Sequence, residues 1–173
     1  MKWCSIDPSN RSGVAYWEDG KLLRTDVLRK VGAKGKYSVG DDVFTCRWAA
    51  WCFALHGQSA VVTEEGCGRF TTAIKSQAGI RGYVDAVCDY YSFCGNCVSF
   101  HVVNVSEWRR VIKEEFGVSW PATRERKKEL SKSLVKDRFG IEVSDDEADA
   151  VLLGLAAIRM RLVDVNASKE AAQ

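Results

Sequence analysis

Apolar and polar positions alternate through most of the first thirty residues. Trp3 to Ile6 and Gly13 to Trp17 alternate or run apolar, and Lys21 to Leu28 continues the pattern after a turn signal at Glu18-Asp19-Gly20. The pattern predicts an antiparallel meander of three strands. Val31 to Asp42, rich in Gly and Lys, predicts a loop. Beyond it the apolar period lengthens, and Asp42 to Leu55 predicts the first long helix. Ser59 to Thr63 is a short apolar run ending at Glu64-Glu65 and predicts a buried strand. Thr71 to Tyr91 predicts a second helix despite Gly79 and Gly82, and Val98 to Val105 another strand. Ser106 to Phe116 predicts a helix with Ser106 as its N-cap, and Gly117 to Pro121 breaks it. Arg124 to Phe139 is a charged helix, Gly140 to Val143 a link, and Asp145 to Arg161 the last helix. The expected fold class is α/β: a mixed sheet, antiparallel meander then parallel strands, with helices on both faces. One domain is expected over residues 1–165, with a polar tail at 166–173.

Charge distribution adds to this picture where total charge does not. The formal net charge is only +2. Arg109 to Arg138 nevertheless holds ten basic and five acidic residues, and Lys21 to Lys36 holds six basic and one acidic. Two basic segments around acidic positions suit a polyanion binder that keeps a metal site, although each alone also reads as a solvated face. No apolar run approaches the ~20 residues of a membrane span. Met1 to Ile6 runs straight into a strand pattern, not a leader pattern. With seven cysteines, an odd number, a reduced cytoplasmic location is expected. Cys94-Gly-Asn-Cys97 has CxxC spacing but no second pair, so neither structural zinc nor redox chemistry is expected there.

Carboxylates end three apolar segments. Asp7 closes the first strand in Ile6-Asp7-Pro8-Ser9, because Pro8 cannot continue a ladder. Glu64 ends Ala60-Val61-Val62-Thr63. Ser144 and Glu147 have capping-box spacing, which places Asp146 and Asp149 on one face of the first helical turns. Apolar Ala150 to Leu153 must pack that helix on the sheet and carry its acids toward the strands. Each acid alone reads as a turn former, a strand terminus or a helix-dipole partner. Together they suggest a site for a hard cation, since buried like charges cost several kcal/mol each unless something neutralises them.

This combination resembles the RuvC family of Holliday junction resolvases. The family opens with a strand ending in an IDPG-like motif and a following Gly, matched by Ser5-Ile6-Asp7-Pro8-Ser9-Asn10-Arg11-Ser12-Gly13. Its second acid follows an apolar strand, as in Val61-Val62-Thr63-Glu64-Glu65. Gln77-Ala78-Gly79-Ile80-Arg81-Gly82 is similar to its Gln- and Arg-Gly-containing helix start. Asp146-Glu147-Ala148-Asp149-Ala150 fits its closing Asp-x-x-Asp-Ala motif residue for residue. The likeness spans Met1 to Arg161. It implies an RNase H-like fold, a homodimer, and two Mg²⁺ or Mn²⁺ ions held by Asp7, Glu64, Asp146 and Asp149. It also implies paired cuts across a four-way DNA junction. Glu65 and Asp145 are neighbours that leave a one-residue ambiguity, though alternation sends Glu64 and Glu65 to opposite faces. The family carries a basic residue near the scissile phosphate before the last helix, and Lys127 is expected there, with Lys128 as the alternative. The sequence departs from the family at Ser9, which stands for Gly. It also lacks an aromatic after the second acid until Phe70. The helix bearing Trp48, Trp51 and Cys52 reads as core or dimer packing more readily than as a base-stacking platform.

Two other functions remain open at this point. One is a nuclease of the same fold acting on other branched, flapped or hybrid nucleic acid; the other is a non-catalytic DNA-binding module. Clustered acids argue against the latter, because they repel phosphates. A sugar-kinase or actin-like phosphate site would require two such domains, too many for 173 residues.

Overall fold

The computed structural model describes residues 1–9, 11–29, 50–65 and 71–164. In chain order the elements are β1 (Lys2–Asp7), β2 (Arg11–Glu18), β3 (Lys21–Arg29) and a helical stretch α1 (residues 50–55). There follow β4 (Ala60–Glu65), α2 (Thr71–Phe93), β5 (Ser99–Asn104), α3 (Val105–Phe116), α4 (Arg124–Phe139) and α5 (Asp145–Arg159). The strands form one five-stranded sheet in the order β3-β2-β1-β4-β5. The β1–β2 and β2–β3 pairs are antiparallel, whereas β4 lies parallel to both β1 and β5. Asp19 and Gly20 both take positive φ, 48° and 77°, which lets a tight turn follow the sheet's twist between β2 and β3.

Alternation along the central strands sorts side chains into two cores. Trp3, Ala15, Trp17, Ala60, Val62 and Val103 face α3, α4 and α5. Cys4, Ile6, Val14, Tyr16 and Val61 face α1 and α2. Helices therefore cover both faces. By the same period of two, Asp7 and Glu64 belong to the face that carries α5.

The structure moves several expected boundaries. Strand β5 stops at Asn104, and Val105 is already helical. Asn104, not Ser106, caps α3: its Oδ1 accepts from the Ser106 backbone N–H at 2.9 Å. Asparagine holds this N-cap as well as serine would, and only the backbone path decides which residue occupies it. Helix α2 runs two residues past Tyr91 to Phe93, and α5 ends at Arg159, two short of Arg161. The expected loop at 31–42, the first part of the Asp42–Leu55 helix with Trp48, Phe70 and the tail at 166–173 lie outside the described residues. No helix among the described residues is long and apolar enough to cross a membrane.

Helix α5 is almost wholly buried, from Ala148 to Ala157. Its N-terminus carries the expected capping box, with the Ser144 N–H donating to Glu147 Oε2 at 2.9 Å. Two glycines allow it to lie tight against the sheet. A Cβ on Gly13 of β2 would stand 1.9 Å from the Asp146 carbonyl oxygen, and one on Gly154 would stand 2.5 Å from the Trp17 indole. The Ser5 hydroxyl donates to the Ala150 carbonyl at 2.7 Å and accepts from Trp17 Nε1 at 2.9 Å, tying β1, β2 and α5 together. A methyl group at Gly13 meets backbone, which cannot rotate away. Gly13→Ala should therefore destabilise the fold by about 1–3 kcal/mol or more. Urea unfolding checks this, and wild-type stability in the variant would contradict the close approach.

Candidate active site

Strand β1 ends at Asp7, which stands half-buried at the sheet's rim. Glu64, one residue before the end of the neighbouring parallel strand β4, is 9% exposed on the same face. Asp146 and Asp149, three residues apart in the first turns of α5, complete the group. Burial, then the negative charges of Glu64, Asp149 and Asp146, push the Asp7 carboxyl well above its ordinary range. Glu64 is raised to about 7, mainly by burial and further by Asp149, against a Trp108 hydrogen bond and the Arg109 charge. Asp149 is raised by burial and by Asp146, against Ser131, Arg109 and Lys128. Four sequence-predicted acids from three separate elements thus sense one another electrostatically. Among the described residues, no three side chains of His, Cys, Asp or Glu are gathered as tightly as in a formed ion cage.

The neighbouring acids Glu65 and Asp145 are each engaged by other side chains. Glu65 points to the other side of β4 and accepts from the Asn104 amide at 3.1 Å. Asp145 pairs with Lys128 at 2.9 Å and Lys132 at 3.0 Å. The Lys128 and Lys132 hydrogen bonds hold its carboxyl below the usual carboxylate range. Glu147 serves the helix cap and accepts from the Thr25 hydroxyl at 2.7 Å.

Of Lys127 and Lys128, it is Lys128 whose side chain is seen to contact the acidic segment. Lys128 reaches Asp145, offsets the charge of Asp149 and lines a groove beside the acids. Lys127, one residue earlier and so turned about 100° around the helix, shows among the described contacts only its backbone bond to Thr123. The groove encloses about 560 Å³ between Ser9, Arg11, Arg124, Lys128, Ser144, Asp145 and Asp146. Arg11 Nε also approaches Asp146 Oδ2 at 3.7 Å.

Sequence reasoning missed Arg109 as a site residue. Its positive charge opposes the raised pKa of Asp7, Glu64 and Asp149 alike. Its guanidinium lies 5.0 Å from the Trp108 ring centroid and 5.4 Å from that of Trp120. The Trp120 indole N–H donates to the Arg109 carbonyl at 2.8 Å, and the Arg109 Nε is buried without a partner among the described residues. Two indoles flanking an arginine, Trp108 beside it and Trp120 eleven residues on, were the signal in the sequence. Trp108 and Ser131 were also missed, and each donates to one of the acids.

An all-oxygen, anionic donor set that the protein's own cations do not neutralise suits a hard divalent cation such as Mg²⁺ or Mn²⁺. Asp7, Glu64, Asp146 and Asp149 are the residues that would hold one.

No protein-family model matches the chain, and no curated protein sequence matches it. Solved structures do. Thermus thermophilus RuvC aligns over 93% of this chain and 97% of its own, with a TM-score of 0.64 and 18% identity. The same organism's RuvC in complex with a Holliday junction substrate aligns over 92% and 96%, with a TM-score of 0.63 and 16% identity. The yeast mitochondrial Holliday junction resolvase aligns over 92% and 80%, with a TM-score of 0.57 and 13% identity. A mixed sheet in this strand order, with helices on both faces, is the RNase H-like fold. Within that class the chain has the fold of the RuvC-type resolvases, as expected from its motifs.

The raised acids make a prediction about pH. A carboxyl whose pKa is higher folded than unfolded stabilises the fold fully below its ordinary value, and that stability is lost as pH rises through the folded value. For Glu64 the window runs from 4.5 to about 7. In chelator, Glu64→Gln should match wild type near pH 4 and become the more stable of the two by pH 7.5. Each kcal/mol of relief is worth about 2–4 °C in Tm at this chain length. A Tm difference that stays constant from pH 4 to 8 would contradict the burial of that charge.

Proposed function

We propose that the chain is a divalent-metal-dependent endonuclease that resolves four-way DNA junctions as a homodimer in the cytoplasm. One observation carries the reading. Asp7, Glu64, Asp146 and Asp149 converge at the rim of a fold shared with a RuvC structure bound to a junction, and the nearby cations leave Asp7, Glu64 and Asp149 raised. The four would hold two Mg²⁺ or Mn²⁺ ions, whose Lewis acidity lowers the pKa of an attacking water and stabilises the leaving oxygen of a phosphodiester. The chain's own residues do the rest. Arg11, Arg124 and Lys128 line the groove and would seat the phosphate backbone beside the acids without reading sequence. Lys128 takes the role expected of Lys127. Arg109, held over two indoles, would offset charge that builds on the scissile phosphate. In the homodimer, exposed Phe53 of α1 and Phe93 of α2, 85% and 91% accessible, would supply apolar surface for the second copy.

The test is a cleavage assay with Mg²⁺ or with chelator, on a four-way junction, a linear duplex, a flap and an RNA–DNA hybrid. Metal-dependent, paired cuts confined to the junction are expected. Asp7→Asn should lower cutting by more than about 100-fold, since even partners of metal ligands are worth 10–100-fold, and should leave junction binding intact. Cutting of the flap or hybrid instead would keep the chemistry and change the substrate. Binding without any cutting would reduce the chain to a DNA-binding module.

Salt dependence tests the groove separately. Each phosphate neutralised contributes about −0.9 to the slope of log K against log salt concentration. Arg124→Ala should make that slope shallower by about one unit on any DNA sequence. An unchanged slope would remove Arg124 from the DNA path.

A further inference from the structure

Two of the four acids are each engaged at one oxygen by a buried, uncharged donor. Trp108 of α3 is fully buried, and its indole N–H donates to Glu64 Oε2 at 2.8 Å. Ser131 of α4 is 1% exposed, and its hydroxyl donates to Asp149 Oδ1 at 2.7 Å. The donors come from different helices and reach one ligand on a strand and one on α5. Each favours the charged carboxylate but, being neutral, leaves the net negative charge of the site unchanged. Each occupies a single oxygen. Among the described residues no second side chain donates a hydrogen bond to either carboxylate, so within them Glu64 Oε1 and Asp149 Oδ2 have no side-chain donor.

Trp108 is also fixed in place. Its ring meets Trp120 edge-on, at 5.7 Å between centroids and 87° between planes. Trp120 is anchored in turn to the Arg109 carbonyl at 2.8 Å, and the Arg109 guanidinium lies over both rings. A donor embedded this firmly dictates the plane of the carboxylate it holds. Ser131, inside a helix packed on α5, has little freedom either.

Ion size gives this arrangement a consequence. Ca²⁺ takes six to eight oxygens and readily accepts both oxygens of one carboxylate, whereas Mg²⁺ demands near-ideal octahedral geometry at shorter distance. A carboxylate with one oxygen engaged by a fixed donor offers a single oxygen well and two poorly. Resting on the metal-dependent reading above, we infer that Trp108 and Ser131 are positioning residues. They keep Glu64 and Asp149 as one-oxygen ligands and so select Mg²⁺ over Ca²⁺ at this site.

The experiment measures Mg²⁺ and Ca²⁺ binding to the full chain by calorimetry, without DNA, for wild type, Trp108→Phe, Ser131→Ala and Ser131→Thr. Loss of a partner to a metal ligand costs about 10–100-fold in affinity. Trp108→Phe and Ser131→Ala should lose that much for Mg²⁺ while Ca²⁺ binding holds or tightens, so the Mg²⁺/Ca²⁺ preference falls by about tenfold or more. Ser131→Thr keeps the hydroxyl and should keep the preference, which a merely structural role for the serine would not require. If Trp108→Phe fails to fold, the two Ser131 variants decide the matter alone. Wild type binding Mg²⁺ with an unchanged preference in the folded variants overturns this inference and leaves the nuclease reading standing. Wild type that binds neither ion overturns both.

Discussion

The four carboxylates share one rim because α5 lies nearly in contact with β1 and β2. Gly13 leaves the Asp146 carbonyl the only space it has, and Gly154 does the same for the Trp17 indole. The Ser5 hydroxyl bridges strand and helix through Ala150 and Trp17. With Ala148 to Ala157 buried against the sheet, the helix cannot rotate or withdraw without opening the core. Hydrophobic packing thus holds Asp146 and Asp149 over the ends of β1 and β4, against their mutual repulsion with Asp7 and Glu64.

How the protein distributes its cations is consistent with that confinement. Lys128 and Lys132 serve Asp145, at the edge of the groove. Arg11 approaches Asp146, and the charge of Arg109 opposes the shifts of the other three acids. Even so, burial and repulsion win at Asp7, Glu64 and Asp149, whose carboxyls all remain raised. Excess charge kept in a packed rim is costly to the folded chain and useful only if something positive arrives. The positive side chains instead surround the acids, where a polyanion would run.

The uncharged groups refine what the charged ones set up. Trp108 and Ser131 hold single oxygens, Trp120 holds the backbone of Arg109, and Ser144 with Glu147 fixes the helix start. Each is a hydrogen bond made out of bulk water, where a donor left unmatched would cost about 1–3 kcal/mol. A rigid outer layer of this kind determines direction, which charge alone does not.

Much of this was legible in the residues themselves. Period-two alternation placed Asp7 and Glu64 at strand ends, and set Glu64 opposite to Glu65, because backbone geometry fixes side-chain direction along a strand. The Ser144–Glu147 spacing located the start of α5 and put Asp146 and Asp149 on one face, since capping and helical period are local properties. Contacts between elements were not legible. Choosing Lys128 over Lys127 depends on how α4 is rotated against α5, and a charged helix without a clear apolar stripe does not encode that rotation locally. Trp108 lies 44 residues from Glu64 and Ser131 18 from Asp149, Arg109 is 40 or more from each acid whose charge it opposes, and no spacing rule links them. Asn104 displaced Ser106 as a cap because the chain turns one residue before the β-branched run ends. The sequence by itself determined which residues could be acids at the ends of elements. Only the packing of α3, α4 and α5 on the sheet decided which donors and cations face those acids, because that choice depends on long-range burial and not on local backbone preference.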